Sequence, residues 1–540
     1  MVYLIDGVLK NAYDKVINTF ENVIDCNTHK QAYIGDHADI EAFAESEFAG
    51  KYLDCCVNLY KSSKSKKILH FADELVRCII QNQHDNGYMG GYPQSQEWYC
   101  FSIWNQAFTV YGLLSYYKLT GDNEALECAE KCVKTIAKHY MDENNDILDA
   151  WNNGTQNLSI LLVLPDLYNI TGDKLYIDFI NCIYERLKKS TNNFFDFETI
   201  LNLYSKKGIE NFIVLISMML CNEISYDEET LEGARRYWNE LEATQIRRTG
   251  NGTLAELWTP GGNAAAFYGE ETKPNETCVA VGWCEFSMLM FMADRKSIYL
   301  DAIEKSLYNH ILGSLSNDGT DFAYYQPNYG RKILRTNSNL YKCCRYRGFN
   351  IISRLHENLF LDDDCITPTI YTSCVFTNEK VKITETTKYP FDDTISFKIE
   401  GTSDKKLRLR IPRWCKKYDI RVNGELLCCK KNDGFVILDI HDGDEIELSL
   451  NTALKTERVI IDDKEHLGFS YGWIVLVPDS SICEDIYSPK SDIGDFKRNY
   501  ETEYNIQFDS NDLKLVDYLS AAKRHETDEY TEWVLKKQPH

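Results

Sequence analysis

Positive charge is what this 540-residue sequence lacks most: 82 acidic side chains stand against 59 lysines and arginines, a formal balance of −23. Binding to nucleic acid needs clustered Lys and Arg, so no nucleic-acid partner is expected. The one basic run, "KSSKSKK" (61–67), is too short for such a patch and reads as a solvated turn between helices. Long apolar runs are missing too. No window approaches the roughly 20 apolar residues that span a bilayer, so no membrane partner is expected either. The opening "MVYLIDGVLKNAYDKV" has neither the basic start nor the continuous apolar stretch of a signal peptide. Nineteen cysteines without an export signal point to a reducing, cytoplasmic setting where thiols stay free. Most of them are expected to be small buried hydrophobes.

What is present is ordinary globular material in two textures. The length calls for two or three domains. Up to about residue 360 the pattern is helical. In "KILHFADELVRCIIQNQ" (67–83), Ile68, Phe71, Leu75, Cys78 and Ile79 fall on one face. A helix, a Thr-Gly-Asp turn and a second helix follow in 107–140, and the same unit recurs in 158–187. Repeated helical hairpins build arrays, and Gly- and aromatic-rich loops such as "NGYMGGYP" (86–93) favour a closed ring with those loops at its mouth. After "HENLFLDDDC" (356–365) short alternating segments broken by turn residues take over, the pattern of a β-sandwich. The expected fold class is therefore an all-α toroid, a six-hairpin-like (α/α) barrel, followed by all-β sandwich structure. The boundaries are 1–360 for the barrel, 361–455 for the sandwich, and 456–540 for further strands with a charged tail. Monomer and homodimer both stay open, the late β-segment being the candidate contact.

The chemistry concentrates around "NLYKCCRYRG" (339–348). Adjacent cysteines reach disulfide geometry only with strain, so Cys343 and Cys344 call for another explanation. Upstream, "WTPGGNAAAFYGEETKPNETCVAVGW" (258–283) carries Glu270, Glu271, Glu276 and Cys278. Glu276, Cys278, Cys343 and Cys344 together offer one oxygen and three sulfurs, a set that a tetrahedral Zn2+ accepts. The spacing is not that of a finger or ribbon, so buried structural thiols are the alternative. Trp104 and Trp258 are candidates for stacking on sugar faces, with core packing as the equal alternative.

In order along the chain, "FAGKYLDCCVNLYK", "QNQHDNGYMGGY", "YGLLSYYKLTGD", "GGNAAAFYGE", "ETC", "SLYNHILGSLSNDGTDFAYYQP", "CCRYRGFNIISRL", "LRLRIPRW" and "DGDEIELSL" resemble the β-L-arabinofuranosidase group, glycoside hydrolase family 127 and its relatives. The resemblance implies a carbohydrate substrate and a helical toroid followed by a β-sandwich. It implies zinc held by Glu276, Cys278, Cys343 and Cys344, with Cys343 as catalytic nucleophile and Glu270 as general acid/base. The implied reaction is retaining exo-hydrolysis of a terminal sugar, β-L-arabinofuranose being the leading guess.

Two places depart from that pattern. Glu270 and Glu276 are separated by only "ETKPN", a shorter loop than the family usually has. The family's sugar-contacting histidines are also missing: none lies between His84 and His139, or between His139 and His310. Asn157 falls where one of them belongs, and its amide can bond hydroxyls but carries no charge. The departures motivate an alternative, a carbohydrate-binding relative that kept the fold and lost turnover. A different zinc–thiolate enzyme or metal store is the third reading.

Overall fold

The computed structural model describes residues 1–35, 45–98, 101–261, 269–332, 342–461, 463–489, 493–524 and 527–536, with only the backbone of Gln94, Trp151, Glu270 and Lys342. The helical hairpins are made as their sequence dictates. In both Thr-Gly-Asp turns the glycine ends one helix in the left-handed conformation, φ 73° at Gly121 and 70° at Gly172. The aspartate then caps the next helix: Asp122 accepts from the Glu124 amide at 3.0 Å, and Asp173 from the Leu175 amide at 3.0 Å. Three residues thus stop one helix and start another.

The more buried member of each pair forms an inner ring. Glu45–Ser63 packs on Ser102–Thr120, which packs on the 3-10 segment Trp151–Leu162. Gly208–Ile224, Thr277–Asp294 and Lys342–Ser353 continue the circuit, and the last returns to Glu45–Ser63. Outer helices such as Lys66–Gln81 and Asn123–Tyr140 bury one apolar stripe against this ring. The first two inner helices cross almost backbone to backbone. A Cβ on Gly50 would lie 2.1 Å from the Phe108 carbonyl oxygen, and one on Gly112 2.6 Å from the Gly50 oxygen. Thr277–Asp294 differs from the expectation of no membrane-length apolar run: its mean hydropathy of 1.2 reaches that of a membrane span. Its place in the ring explains the composition, since 67% of it is buried by helices on several sides.

Beyond the ring lies a two-sheet sandwich. Strands Cys374–Thr377, Val381–Thr387, Thr394–Gly401, Glu445–Ser449, Asp419–Val422 and Glu425–Leu426 form one antiparallel sheet in that order. Its outer edge is completed by Val2–Leu4, a strand from the start of the chain, which pairs Tyr3 with Val375. The second sheet runs Phe435–Leu438, Lys406–Arg410, Cys365–Pro368, Phe360–Asp362. Ile395, Phe397 and Ile399 alternate into the core, as do Leu407 and Leu409 across from them. The charged tail, left unassigned by its sequence, contributes Lys497–Asn499, Gln507–Asp509, Lys514–Asp517 and Val534–Leu535 to a third sheet with Leu454–Ile461, Lys464–Tyr471 and Ile474–Val477.

Two devices lock these parts to the ring. Arg410 of the sandwich, fully buried, meets Asp301 at 2.6 Å and pairs with Glu304, both on the outer helix Ser297–Ser306. Near the end of the chain, Tyr530–Thr531 pairs with Tyr329–Gly330, just beyond the segment that supplies Tyr324 and Tyr325.

A thiol and carboxylate centre inside the helical ring

Two inner helices begin at one place. Glu276 is the N-cap of Thr277–Asp294 and Cys278 lies in its first turn, while Cys343 and Cys344 stand in the first turn of Lys342–Ser353. Converging helix N-termini favour negative groups. One ligand atom from each of the four residues lies within 4.8 Å of the others. Cys278 Sγ and Cys343 Sγ are 3.3 Å apart, and Cys344 Sγ is 3.7 Å from Glu276 Oε1. The register is held from below. The Thr277 amide donates to the Tyr324 carbonyl at 3.0 Å, and the Asn251 side-chain amide to the Glu276 carbonyl at 2.6 Å. His310 Nε2 lies 2.9 Å from Thr277 Oγ1, and burial pushes this histidine down to about 3, so it serves as a neutral core residue.

The four groups differ in access and in charge. Cys278 and Cys344 are buried, whereas Cys343 is half-buried and forms the open corner. Hydrogen bonds from the Cys278 and Cys344 thiols hold the Cys343 thiol well below the usual range, and the Lys51 ammonium adds to this against the opposing effect of burial. Burial pushes Cys278, Cys344 and Glu276 the other way, toward their neutral forms. Glu276 Oε2 is buried without a hydrogen-bond partner. An orphaned carboxylate oxygen and three converging sulfurs are what a divalent cation would satisfy, and its charge would reverse the cost of ionising all four. The donors fit such an ion.

Two ion-pair systems flank the cluster. On one side Lys51 pairs with Glu47, and the Lys51 ammonium lies 4.3 Å from the centre of the Phe108 ring and 6.0 Å from that of Trp104. The indole of Trp104 bonds to Glu47 in turn. On the other side the Tyr324 hydroxyl, 3.7 Å from Cys343 Sγ, donates to Glu256 Oε1 at 2.8 Å. Tyr325 donates to the same oxygen at 2.8 Å, and Lys207 Nζ meets Glu256 Oε2 at 3.1 Å. Burial alone would lower Lys207, but the carboxylates of Glu256 and Glu210 overcome it and hold the ammonium above its ordinary value. Asn152 fixes Glu210, donating to its Oε2 at 2.7 Å.

The structure therefore brings Glu276, Cys278, Cys343 and Cys344 together, with Trp104 behind the Lys51 wall. The backbone of Glu270 lies in a short 3-10 turn, Glu270–Thr272, and its side chain lies outside the described residues. Asn157 is buried, its amide donating to the Ile147 carbonyl at 3.0 Å, and among the described residues no hydrogen bond joins it to the cluster. Trp258 is buried edge-on against Phe212, with ring centres 5.5 Å apart. Glu256, Lys207 and Glu210 were not singled out by the sequence. Their only signal was a lysine and a glutamate at the start of Gly208–Ile224 and a glutamate in a turn well downstream.

Comparison with known proteins agrees with this architecture. Residues 4–357 match the family described as β-L-arabinofuranosidase, GH127 catalytic domain, and residues 366–452 its GH127 middle domain. A non-reducing end β-L-arabinofuranosidase of Bifidobacterium longum subsp. longum is 22% identical over 451 residues, covering 72% of this chain and 67% of that protein. The solved GH127 β-L-arabinofuranosidase of Geobacillus stearothermophilus T6 superposes with a TM-score of 0.77 at 16% identity, covering 99% of this chain and all of that one, 100%. Another solved GH127 β-arabinofuranosidase gives 0.81 at 18% identity, covering 99% of this chain and 96% of that one. At such identities the structural likeness speaks for the fold alone. A helical toroid with a β-sandwich and this domain match defines the class, a glycoside hydrolase. Within that class the chain belongs to the GH127 β-L-arabinofuranosidase family.

Proposed function

We propose that this chain is a retaining exo-glycoside hydrolase that releases terminal β-L-arabinofuranose from oligosaccharides, with Cys343 as its nucleophile. The family match and the activity of the Bifidobacterium relative support the reaction and the sugar. The single observation that carries the nucleophile is access: of three clustered thiols, Cys343 alone is partly open, and it is the one held toward its thiolate.

Zinc on Glu276, Cys278, Cys343 and Cys344 would supply the charge that keeps these thiols ionised near neutral pH. The steps belong to the protein's side chains. Cys343 Sγ donates an electron pair to the anomeric carbon as the bond to the leaving oxygen breaks, and a carboxylic acid on the opposite side protonates that oxygen. Water then attacks the same carbon, gives its proton to the carboxylate, and expels the sulfur as thiolate. Two inversions leave the configuration unchanged.

The test is hydrolysis of an aryl β-L-arabinofuranoside and of a β-linked arabinose disaccharide, followed by proton NMR. The expected first product is the β anomer, and Cys343→Ala lowers kcat/KM by about a thousandfold or more. An α product first, or full activity in Cys343→Ala, overturns the mechanism. The loss of histidine at Asn157 favours a second reading, a sugar-binding relative without turnover; arabinoside binding by calorimetry with no product after long incubation would establish it.

A further inference from the structure

A cleft where ring, sandwich and third sheet meet takes no part in the proposed hydrolysis. Its volume is about 420 Å³, the size of a small-molecule site. Three tryptophans line it. Trp414 follows the sandwich strand Lys406–Arg410, Trp473 stands in the turn between Lys464–Tyr471 and Ile474–Val477, and Trp533 directly precedes Val534–Leu535. Lys305 joins them from the outer helix Ser297–Ser306. We infer that this cleft is a second ligand site, one for a sugar that carries a carboxylate, a hexuronate residue.

Lys305 calls for the negative charge. Among the described residues its ammonium has no hydrogen-bond or ion-pair partner, and burial holds it below its ordinary value. Glu242 and Glu457 offset part of that effect, and Arg413 and Arg248 add to it. A cation in this state gains from an anion brought against it. The other cations of the cleft are engaged by the protein. Arg248 donates from Nη1 to the Glu532 carbonyl at 2.8 Å and from Nη2 to the Phe469 carbonyl at 2.6 Å. Lys455 donates to the Trp414 carbonyl at 2.7 Å. Glu457 and Glu532 stand in the same wall. One available ammonium beside two carboxyl groups suits a single negative charge, a carboxylate, better than the nearly doubled charge of a phosphate.

The tryptophans call for the sugar. Trp414 and Trp473 are half-buried, yet the indole N–H of each is buried without an acceptor. An apolar ring face edged by an unsatisfied donor receives the C–H face of a sugar together with its hydroxyls, directly or through a bridging water. The wall is also set before a ligand arrives. The Arg248 guanidinium lies 4.6 Å from the centre of the Trp533 ring. A Cβ on Gly468 would come within 2.7 Å of that ring, and one on Gly472, where φ is 60°, within 3.2 Å of the Trp414 ring. Bare backbone at these two glycines lets the indoles pack flush against the third sheet, and a fixed wall loses little freedom on binding.

Calorimetry on the full chain compares methyl β-D-glucuronide with methyl β-D-glucoside, the same ring without the charge, and with inorganic phosphate. The glucuronide is expected to bind with a dissociation constant below about 1 mM, at least about tenfold tighter than either control. Lys305→Met is expected to weaken the glucuronide by about tenfold or more and to leave the glucoside unchanged. A second measurement needs no lysine variant to fold. With the nine tryptophans fluorinated, the fluorine signals assigned by Trp414→Phe and Trp473→Phe are expected to shift as wild type is titrated with glucuronide. No binding, equal affinity for the glucoside, tighter binding of phosphate, or undiminished binding by Lys305→Met overturns the inference. A shift at Trp104 in place of those two puts the sugar at the thiol centre and overturns it as well. Neither measurement involves hydrolysis, so the outcome is independent of the proposed function.

Discussion

Cys343 and Cys344 are sequence neighbours with opposite fates, because the first turn of a helix points successive side chains about 100° apart. One faces the opening and the other the dry interior, where it meets Glu276. Cys344 therefore has a holding role, which an alanine isolates. We expect about one zinc per chain in the wild type by elemental analysis, and less than about a tenth of that in Cys344→Ala. Cobalt-loaded wild type should show thiolate-to-metal absorption that the variant loses; a variant that keeps stoichiometric metal contradicts the four-ligand centre. At this scale the sequence was legible only through its family resemblance. Cys278 and Cys343 are 65 positions apart, and no local spacing rule connects residues that meet because a ring closes. Glu256 was invisible for a related reason. Its hydrogen-bond and ion-pair partners, Tyr324, Tyr325 and Lys207, are each remote in sequence, and "LAELW" carries no motif of its own.

Among the elements, the crossing of Glu45–Ser63 with Ser102–Thr120 sets the width of the inner ring at the level of Lys51. Gly50 and Gly112 allow the two backbones to touch. Gly50→Ala gains helix propensity, about 1 kcal/mol in an exposed site, but its methyl group would overlap the Phe108 carbonyl. The clash should outweigh that gain, for a net destabilisation of about 1–3 kcal/mol in a urea titration. A variant as stable as wild type would show that the helices can part there freely. The elements themselves were largely readable. Thr-Gly-Asp marks a helix stop and a helix start by conformation and capping, and alternation in 394–401 marks a strand with one wet face. The exceptions were segments whose partners are distant. Val2–Leu4 is too short to announce itself and becomes a strand only beside Cys374–Thr377, while the tail needs the third sheet to give its short strands an edge.

For the molecule as a whole, the joint between ring and sandwich is electrostatic and dry. Arg410 lies between Asp301 and Glu304 with all three side chains at 0% exposure, and the Tyr389 hydroxyl donates to Glu304 at 2.7 Å. Breaking such a cluster leaves uncompensated charge, so Arg410→Met should cost about 3–5 kcal/mol of stability. Asp301→Asn combined with Glu304→Gln in the same background should recover part of that loss. Calorimetry on the single and triple variants checks both, and equal melting temperatures for wild type and Arg410→Met would count against the joint. The antiparallel pairing of Tyr530–Thr531 with Tyr329–Gly330 has a consequence in time. The ribosome delivers residue 330 some two hundred residues before its partner strand, so the rim that carries Tyr324 and Tyr325 is finished long after its own residues have emerged. A nascent chain can gather its thiols early, yet the rim beside them waits for a strand that follows some two hundred residues later.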